Sequence, residues 1–213
     1  WGYYSRFNGG LFSIIAYILL YYAFASNLVS TDSERKPISY SLLSISLLSG
    51  LAVTLWGIPS HFGYDPTCFV FRGSLDVSCW TEAFQPKIRI FSTLGQPNWL
   101  GTYLAALIPI ALGFGVYKLS DRNKQFAIYY LLFTILFYVA LLWTRSQSSF
   151  VGLGIGLFVF FGILISKNIN EFKKRLSESS LAKYLICSVL IFAIATFLIG
   201  TPIESINKYM TLS

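Results

Sequence analysis

The segment FAIYYLLFTILFYVALLW-TRSQSS-FVGLGIGLFVFFGILI, residues 126–165, decides the fold of this chain. Its two apolar runs, Phe126–Trp143 and Phe150–Ile165, carry no charged side chain. Each is about as long as the ~20 apolar residues that cross a bilayer core. Arg145 lies in the polar stretch between them, and a charge at a helix centre costs about 2.5–3.5 kcal/mol on insertion scales. We therefore expect two membrane helices that meet at one membrane face, with Arg145 facing water or an anionic ligand.

The composition indicates a membrane protein rather than a soluble one. Hydrophobic residues make up 55% of the chain and charged residues only 12%, and the mean hydropathy is +0.62. This is outside the range of soluble globular domains. The net charge of +7 is spread over short loops between apolar runs, as expected for charges that set membrane topology. We expect the lipid bilayer as a partner and no nucleic acid.

Six apolar runs predict an all-α fold, a polytopic membrane helix bundle with about six transmembrane helices. They are Leu11–Ser26, Ile38–Ile58, Trp99–Tyr117, Phe126–Trp143, Phe150–Ile165 and Tyr184–Gly200. We expect residues 1–213 to form a single transmembrane helical domain. Because the chain begins with Trp1 and shows no signal peptide, we interpret it as a fragment of a longer protein, entered between two spans.

The distribution of lysine and arginine predicts the orientation. The loops Asn27–Pro37, Lys118–Gln125 and Ser166–Lys183 together hold ten of the sixteen basic residues, and the alternating loops hold six. The more basic side is expected to be cytoplasmic. Both ends of the fragment should then face outward.

The longest outer loop, from Pro59 to about Asn98, is rich in aromatic residues. Such a loop should either lie in the membrane interface or fold back onto the helix bundle. Cys68 and Cys79 both lie in it, and an oxidising outer compartment predicts that they form a disulfide. The cysteine spacing does not fit a zinc knuckle and His61 is the only histidine, so no metal site is predicted.

Three outer arginines precede helix starts. Arg6, Arg89 and Arg145 are each followed by small, hydroxylated or amide residues. A helix amino terminus offers unpaired N–H groups and a positive dipole end, and arginine adds a fork of donors that matches phosphate oxygens. The alternative is that each arginine extends to lipid headgroups or caps a neighbouring helix.

Glycines at the start of the fifth run indicate helix packing. Gly152 and Gly156 form a small-xxx-small pair, with Gly154 between them. Such pairs let helix backbones approach closely. We interpret them as packing residues rather than catalytic ones.

Three segments together resemble the O-antigen ligase and O-antigen polymerase superfamily. Arg89-Ile-Phe-Ser-Thr-Leu-Gly-Gln-Pro-Asn is similar to its Arg-x-x-Gly-Thr-x-Gly-x-Pro-Asn segment, with Ser92 where glycine is frequent. Thr144-Arg145-Ser146-Gln147-Ser148-Ser149 resembles a second signature, closer to Thr-x-Ser-Arg-Gly, although the arginine stands earlier here and serine replaces the glycine. Tyr4-Ser5-Arg6-Phe7-Asn8-Gly9 resembles an upstream Tyr-x-Arg-x-x-Gly segment.

The resemblance implies a multi-pass glycosyltransferase of the bacterial inner membrane with a GT-C-like architecture. Such enzymes transfer glycan from undecaprenyl diphosphate to an acceptor outside the cytoplasm: a growing glycan, lipid A core or a protein. They need no cofactor, neither a metal nor a nucleotide sugar. Their catalytic base belongs to a large outer loop that would begin after Ser213. The catalytic residue is therefore unknown, and His61 does not match the motif position.

The resemblance also implies which residues bind the diphosphate. Arg89 and Arg145, with Arg6 in support, would neutralise the leaving group, and Asn98, Ser148 and Ser149 would add hydrogen bonds. Stabilising charge that develops on a leaving group is commonly the largest catalytic contribution. The alternatives of the same architecture are an O-antigen polymerase and a protein or pilin ligase. A solute transporter and a non-catalytic polysaccharide-export subunit are alternatives from other classes.

Overall fold

The computed structural model describes residues 11–28, 38–82, 84–120, 124–166 and 179–203. These residues form helices and connecting turns, with no strand among them. The helices are α1 (Leu11–Leu28), α2 (Ile38–His61), α3 (Pro66–Arg72), α4 (Pro97–Ser120), α5 (Lys124–Thr144), α6 (Gln147–Ser166) and α7 (Ser179–Ile199). A 3-10 turn, Ser92–Leu94, precedes α4. The predicted all-α class is confirmed for the described residues, and each of the six predicted apolar runs forms a helix.

Among the described residues, three helices are long and apolar enough to cross a membrane, as a membrane-embedded protein requires. They contain the segments Tyr40–His61, Pro97–Leu119 and Gln125–Thr144. The apolar parts of the other three long helices, Ile14–Ala23, Gln147–Ile163 and Lys183–Ile199, are shorter. Six crossings therefore stay a prediction.

The core lies between α4 and the helices around it. Leu100, Leu104, Ile108, Ala111 and Leu112 are buried along one face of α4, at the spacing of helical turns. α4 packs most extensively against α5 and also contacts α6 and α7. The faces of α6 and α7 turned away from this core are apolar and exposed, as expected of surfaces that face lipid.

The aromatic loop between α2 and α4 is buried against the helices in one part and exposed in another. Ile90 and Phe91 are buried, whereas Phe62 and Phe71 are exposed. The predicted disulfide between Cys68 and Cys79 is present, with a Cα–Cα distance of 5.6 Å. The short helix α3 in this loop was not predicted from the sequence.

Close backbone approach occurs at other glycines than the predicted pair. A Cβ atom added at Gly101 of α4 would lie 2.7 Å from Ser149 Oγ, and one added at Gly50 of α2 would lie against Leu107 of α4. Added at Gly152, it would meet nothing within 4 Å, and at Gly156 only Pro109, at 3.8 Å. The packing prediction for Gly152 is wrong. Gly152 faces away from α4, which is the helix that approaches α6 closely at Gly101.

The chain consists of two compact units, residues 1–46 and 47–213. The first contains α1, most of whose described side chains are exposed. The second contains α3 to α7 and the carboxyl-terminal part of α2. A single domain spanning 1–213 stays a prediction. Arg6 lies outside the described residues.

Candidate anion-binding site

The two segments with signature-like sequences meet at one end of the helix bundle. The Arg89 Nε donates a hydrogen bond to the Thr144 carbonyl oxygen at 2.9 Å. The backbone N–H of Ile90 donates to the Trp143 carbonyl at 3.2 Å. Arg89 is therefore held against the carboxyl end of α5, next to Arg145, although 55 residues separate the bonded pair.

Arg89 also contacts the start of α4. One of its terminal nitrogens donates to Asn98 Oδ1 at 2.9 Å. A guanidinium has five N–H donors, and these bonds use two of them, which leaves donors for a ligand. Arg89 is half-buried, so its position is fixed while part of the guanidinium stays accessible.

Arg145 forms the tight turn between α5 and α6. Its backbone has φ +49°, in the left-handed region that non-glycine residues seldom adopt. Its N–H donates to the Leu142 carbonyl at 3.0 Å, and its side chain is exposed. This turn places the start of α6 beside the start of α4.

Hydroxyl groups connect these two helix starts. Ser146 Oγ and Ser149 Oγ are 2.7 Å apart, and Ser149 Oγ lies 3.2 Å from Thr102 Oγ1. Ser149 Oγ also donates to the Asn98 carbonyl at 3.4 Å. Ser148 is exposed and lies 3.4 Å from Ser146, oxygen to oxygen. The predicted residue Ser148 thus lies at the surface of the cluster, whereas Ser146 and Ser149 are buried in it.

A pocket of about 180 Å³ opens beside Arg89 and Asn98. Its polar lining also includes Glu82, Gln85 and Gln96, and its apolar lining is Phe84, Ile88, Phe91 and Pro97. The amino-terminal end of α4 and the charge of Arg89 favour an anion in this pocket. Arg145 and Ser148 are not in its lining. Glu82 supplies an acidic group at the same pocket.

The disulfide-bonded loop supports this pocket through aromatic contacts. Trp80 Nε1 donates to the buried Asp65 carboxylate at 2.6 Å. The Trp80 ring packs edge-on against Phe91, with centroids 4.8 Å apart. Phe91 lines the pocket and follows Arg89 by two residues, so the fold of the loop determines where Arg89 lies.

His61 occupies a place that the sequence did not predict. Its ring stacks on Trp143, with centroids 4.5 Å apart and planes 20° from parallel. The His61 ring interacts electrostatically with the positive charge of Arg145, and it also forms a hydrogen bond with the backbone of Lys87. Its Nδ1 is buried without a hydrogen-bond partner among the described residues. Nothing in the local sequence of His61 indicates this contact, which arises because α2 and α5 end at the same face.

No three His, Cys, Asp or Glu side chains are grouped as metal ligands within the described parts of the chain. The donors that line the pocket are the guanidinium of Arg89 and the side-chain amides of Gln85, Gln96 and Asn98, which suit an anion. Comparison with known proteins adds no identity, because no protein-family model, no curated protein and no solved structure matches this chain.

Proposed function

We propose that this chain is part of an O-antigen ligase-like glycosyltransferase. It transfers glycan from undecaprenyl diphosphate to an acceptor at the outer face of the bacterial inner membrane. The proposal includes six membrane crossings, a GT-C-like arrangement of the helices and outward-facing ends. The acceptor is a hydroxyl of a glycan, lipid A core or protein.

The observation that carries the proposal is the fixed position of Arg89. Its guanidinium is bonded to Thr144 of one signature-like segment and Asn98 of the other, and it lines a pocket at the end of the membrane helices. A guanidinium with spare donors matches the geometry of phosphate oxygens. A diphosphate on a lipid carrier is an anion that would reach the Arg89 pocket at the membrane face. The choice of a glycan as the transferred group comes from the resemblance of the motifs.

In the proposed reaction, the acceptor oxygen attacks the anomeric carbon of the donor sugar. The bond between that carbon and the phosphate oxygen breaks, and undecaprenyl diphosphate leaves. Arg89 and Arg145 stabilise the negative charge that builds up on the diphosphate, which is where such groups contribute most to catalysis. Asn98 orients Arg89, and Ser148 adds a hydrogen bond at the exposed end of the hydroxyl cluster.

Replacing Arg89 or Arg145 with lysine tests the proposal. Lysine keeps the charge but loses the planar fork, so each variant should lose about 1.5–3 kcal/mol of interaction with the diphosphate. This corresponds to a roughly tenfold to hundredfold lower transfer rate. The measurement is glycan transfer by purified full-length protein, with undecaprenyl-diphosphate glycan as donor and candidate acceptors.

Arg72→Lys is the matched control. Arg72 is exposed and its Nη1 bonds the Ser78 carbonyl at 3.3 Å, away from the pocket lining, so this variant should transfer at the normal rate. Normal rates for both Arg89→Lys and Arg145→Lys, in folded protein, would show that these residues do not bind the diphosphate.

A further inference from the structure

The helix α3 presents a cluster of exposed apolar side chains. Phe69, Val70 and Phe71 expose 52%, 65% and 80% of their surfaces, while Cys68 in the same helix is fully buried. We call these three residues the α3 apolar face. Large apolar side chains grouped on a surface indicate an interaction with another molecule or with lipid.

Two hydrogen bonds place this part of the loop at membrane depth. Trp56 Nε1 of α2 donates to Thr67 Oγ1 of α3 at 3.0 Å. The apolar segment of α2 ends at His61. Trp56 comes five residues before His61 and therefore lies about 7.5 Å inside that end. Ser92 Oγ donates to the Val53 carbonyl at 2.6 Å, about 12 Å inside it. Thr67 of α3 and Ser92 at the end of the loop therefore lie beside the last turns of α2.

The helix is held in one orientation. Asp65 caps its start by accepting a hydrogen bond from the Thr67 N–H at 2.7 Å. Gly73, at φ +76°, ends it with an N–H bond to the Phe69 carbonyl. The disulfide from Cys68 to Cys79 fastens its buried side. These attachments fix α3 with Cys68 buried and the α3 apolar face exposed.

Charge around the helix fits the boundary between lipid and water. Arg72 closes α3 and is exposed, where its charge can reach lipid phosphates while its stem covers apolar surface. The following turn is polar: hydrogen bonds from Ser78 lower the pKa of the Asp76 carboxyl, which is therefore ionised at neutral pH. An ionised carboxylate belongs in water, so the polar turn and the apolar helix face different surroundings.

We propose that the α3 apolar face is seated in the lipid interface of the membrane leaflet nearest Arg89. It anchors the loop and fixes the depth of the adjoining pocket. The occupant is lipid, because a face attached beside the last turns of a membrane-spanning helix meets headgroups and upper acyl chains. Phenylalanine on the apolar side of a helix, with arginine nearby, is typical of helices that lie in that layer. This anchor does not depend on which ligand the pocket binds.

Photo-crosslinking in proteoliposomes tests the anchor. The photoreactive residue benzoylphenylalanine replaces Phe71 in one variant and Ser78, an exposed residue of the polar turn, in a matched control. Each full-length variant is reconstituted in phosphatidylethanolamine and phosphatidylglycerol vesicles and irradiated, and mass spectrometry then detects lipid adducts. Non-reducing electrophoresis verifies that the disulfide has formed in each variant.

The expected result is a lipid adduct at position 71 with a yield several times that at position 78. The same probe at Phe69 should give the higher yield as well. Equal yields at 71 and 78 would overturn the proposal. So would crosslinking of position 71 to a second copy of the chain in place of lipid, because the face would then be a protein interface.

Discussion

Two residues beside the candidate site adopt a strained backbone. Ser92 and Arg145, with φ +51° and +49°, are the non-glycine residues at positive φ in the described parts of the chain. Such conformations cost about 1–3 kcal/mol and persist where surrounding structure fixes them. Ser92 is fixed by its bond to Val53 and by contact with Gly57, where an added Cβ would lie 2.9 Å from Ser92 Cβ. Ser92 also occupies the position at which the Arg-x-x-Gly-Thr-x-Gly-x-Pro-Asn motif has glycine, the residue that adopts positive φ most readily.

Gly101→Ala tests how tightly the two helix starts are packed. The new methyl group would lie 2.7 Å from Ser149 Oγ and 3.0 Å from Thr144 Oγ1, so the hydroxyl cluster would have to move. Overpacking of this kind costs about 1–3 kcal/mol. Chemical or thermal unfolding of the purified protein in detergent measures the loss of stability.

Gly154→Ala is the control for that substitution. Gly154 lies in α6, and an added Cβ there meets nothing within 4 Å, so alanine should leave stability unchanged or raise it by up to about 1 kcal/mol through helix propensity. Equal effects of the two substitutions would mean that α4 and α6 do not approach at Gly101.

At the scale of elements, the loop between α2 and α4 depends on one buried carboxylate. Asp65 accepts hydrogen bonds from the Thr67 N–H at 2.7 Å and from Trp80 Nε1 at 2.6 Å. It therefore links the start of α3 to the residue that packs on Phe91. The sequence Asp65-Pro66 carries the signal for this helix start, since aspartate caps helices and proline suits their first position.

Asp65→Ala should loosen the loop. The change removes an N-cap, worth about 1 kcal/mol, and leaves the Trp80 N–H without its charged partner, worth about 1.5–3 kcal/mol. Amide hydrogen exchange over Thr67–Arg72 should then be at least about tenfold faster, with the disulfide intact.

Asp76→Ala serves as the comparison, because Asp76 makes its hydrogen bonds to Ser78 within an exposed turn. It should change exchange in α3 little, as substitutions away from buried networks usually do. Unchanged exchange in Asp65→Ala would show that the disulfide alone holds the helix.

At the scale of the whole molecule, the distribution of charge predicts the orientation in the membrane. Ten of the sixteen basic residues lie in the segments predicted to be cytoplasmic, and this prediction puts the candidate site on the other side. Both helix starts of the site, those of α4 and α6, must then face outward, where lipid-linked glycans are transferred in the proposed reaction.

Cysteine labelling of intact bacterial cells tests this orientation. In a Cys187→Ser background, which removes the free thiol of the described residues, a cysteine at Ser148 should react with an impermeant reagent and one at Asn123 should not. Ser148 suits labelling because its side chain is exposed. The opposite pattern would reverse the topology and place Arg89 on the cytoplasmic side.

Local sequence is sufficient to predict the six long helices and the disulfide, but the short helix α3 was missed. Apolar runs of suitable length predict helices because a backbone in lipid must satisfy its own hydrogen bonds, and all six predicted runs are helical. The apolar run predicted from Trp99 lies within α4, and the helix begins two residues earlier at Pro97, a residue type that suits the first position of a helix. The disulfide followed from two cysteines eleven residues apart in one outer loop.

The arrangement of the site was decided only by the tertiary structure. The sequence named Arg89, Arg145 and Asn98, but the bond from Arg89 to Thr144 depends on how the loop folds back beside α2 and α5. The presence of Glu82 in the pocket and of His61 on Trp143 had no signal in neighbouring residues. Helices in a membrane form from local hydrogen bonds and hydropathy, whereas contacts between distant side chains depend on the packing of the whole bundle.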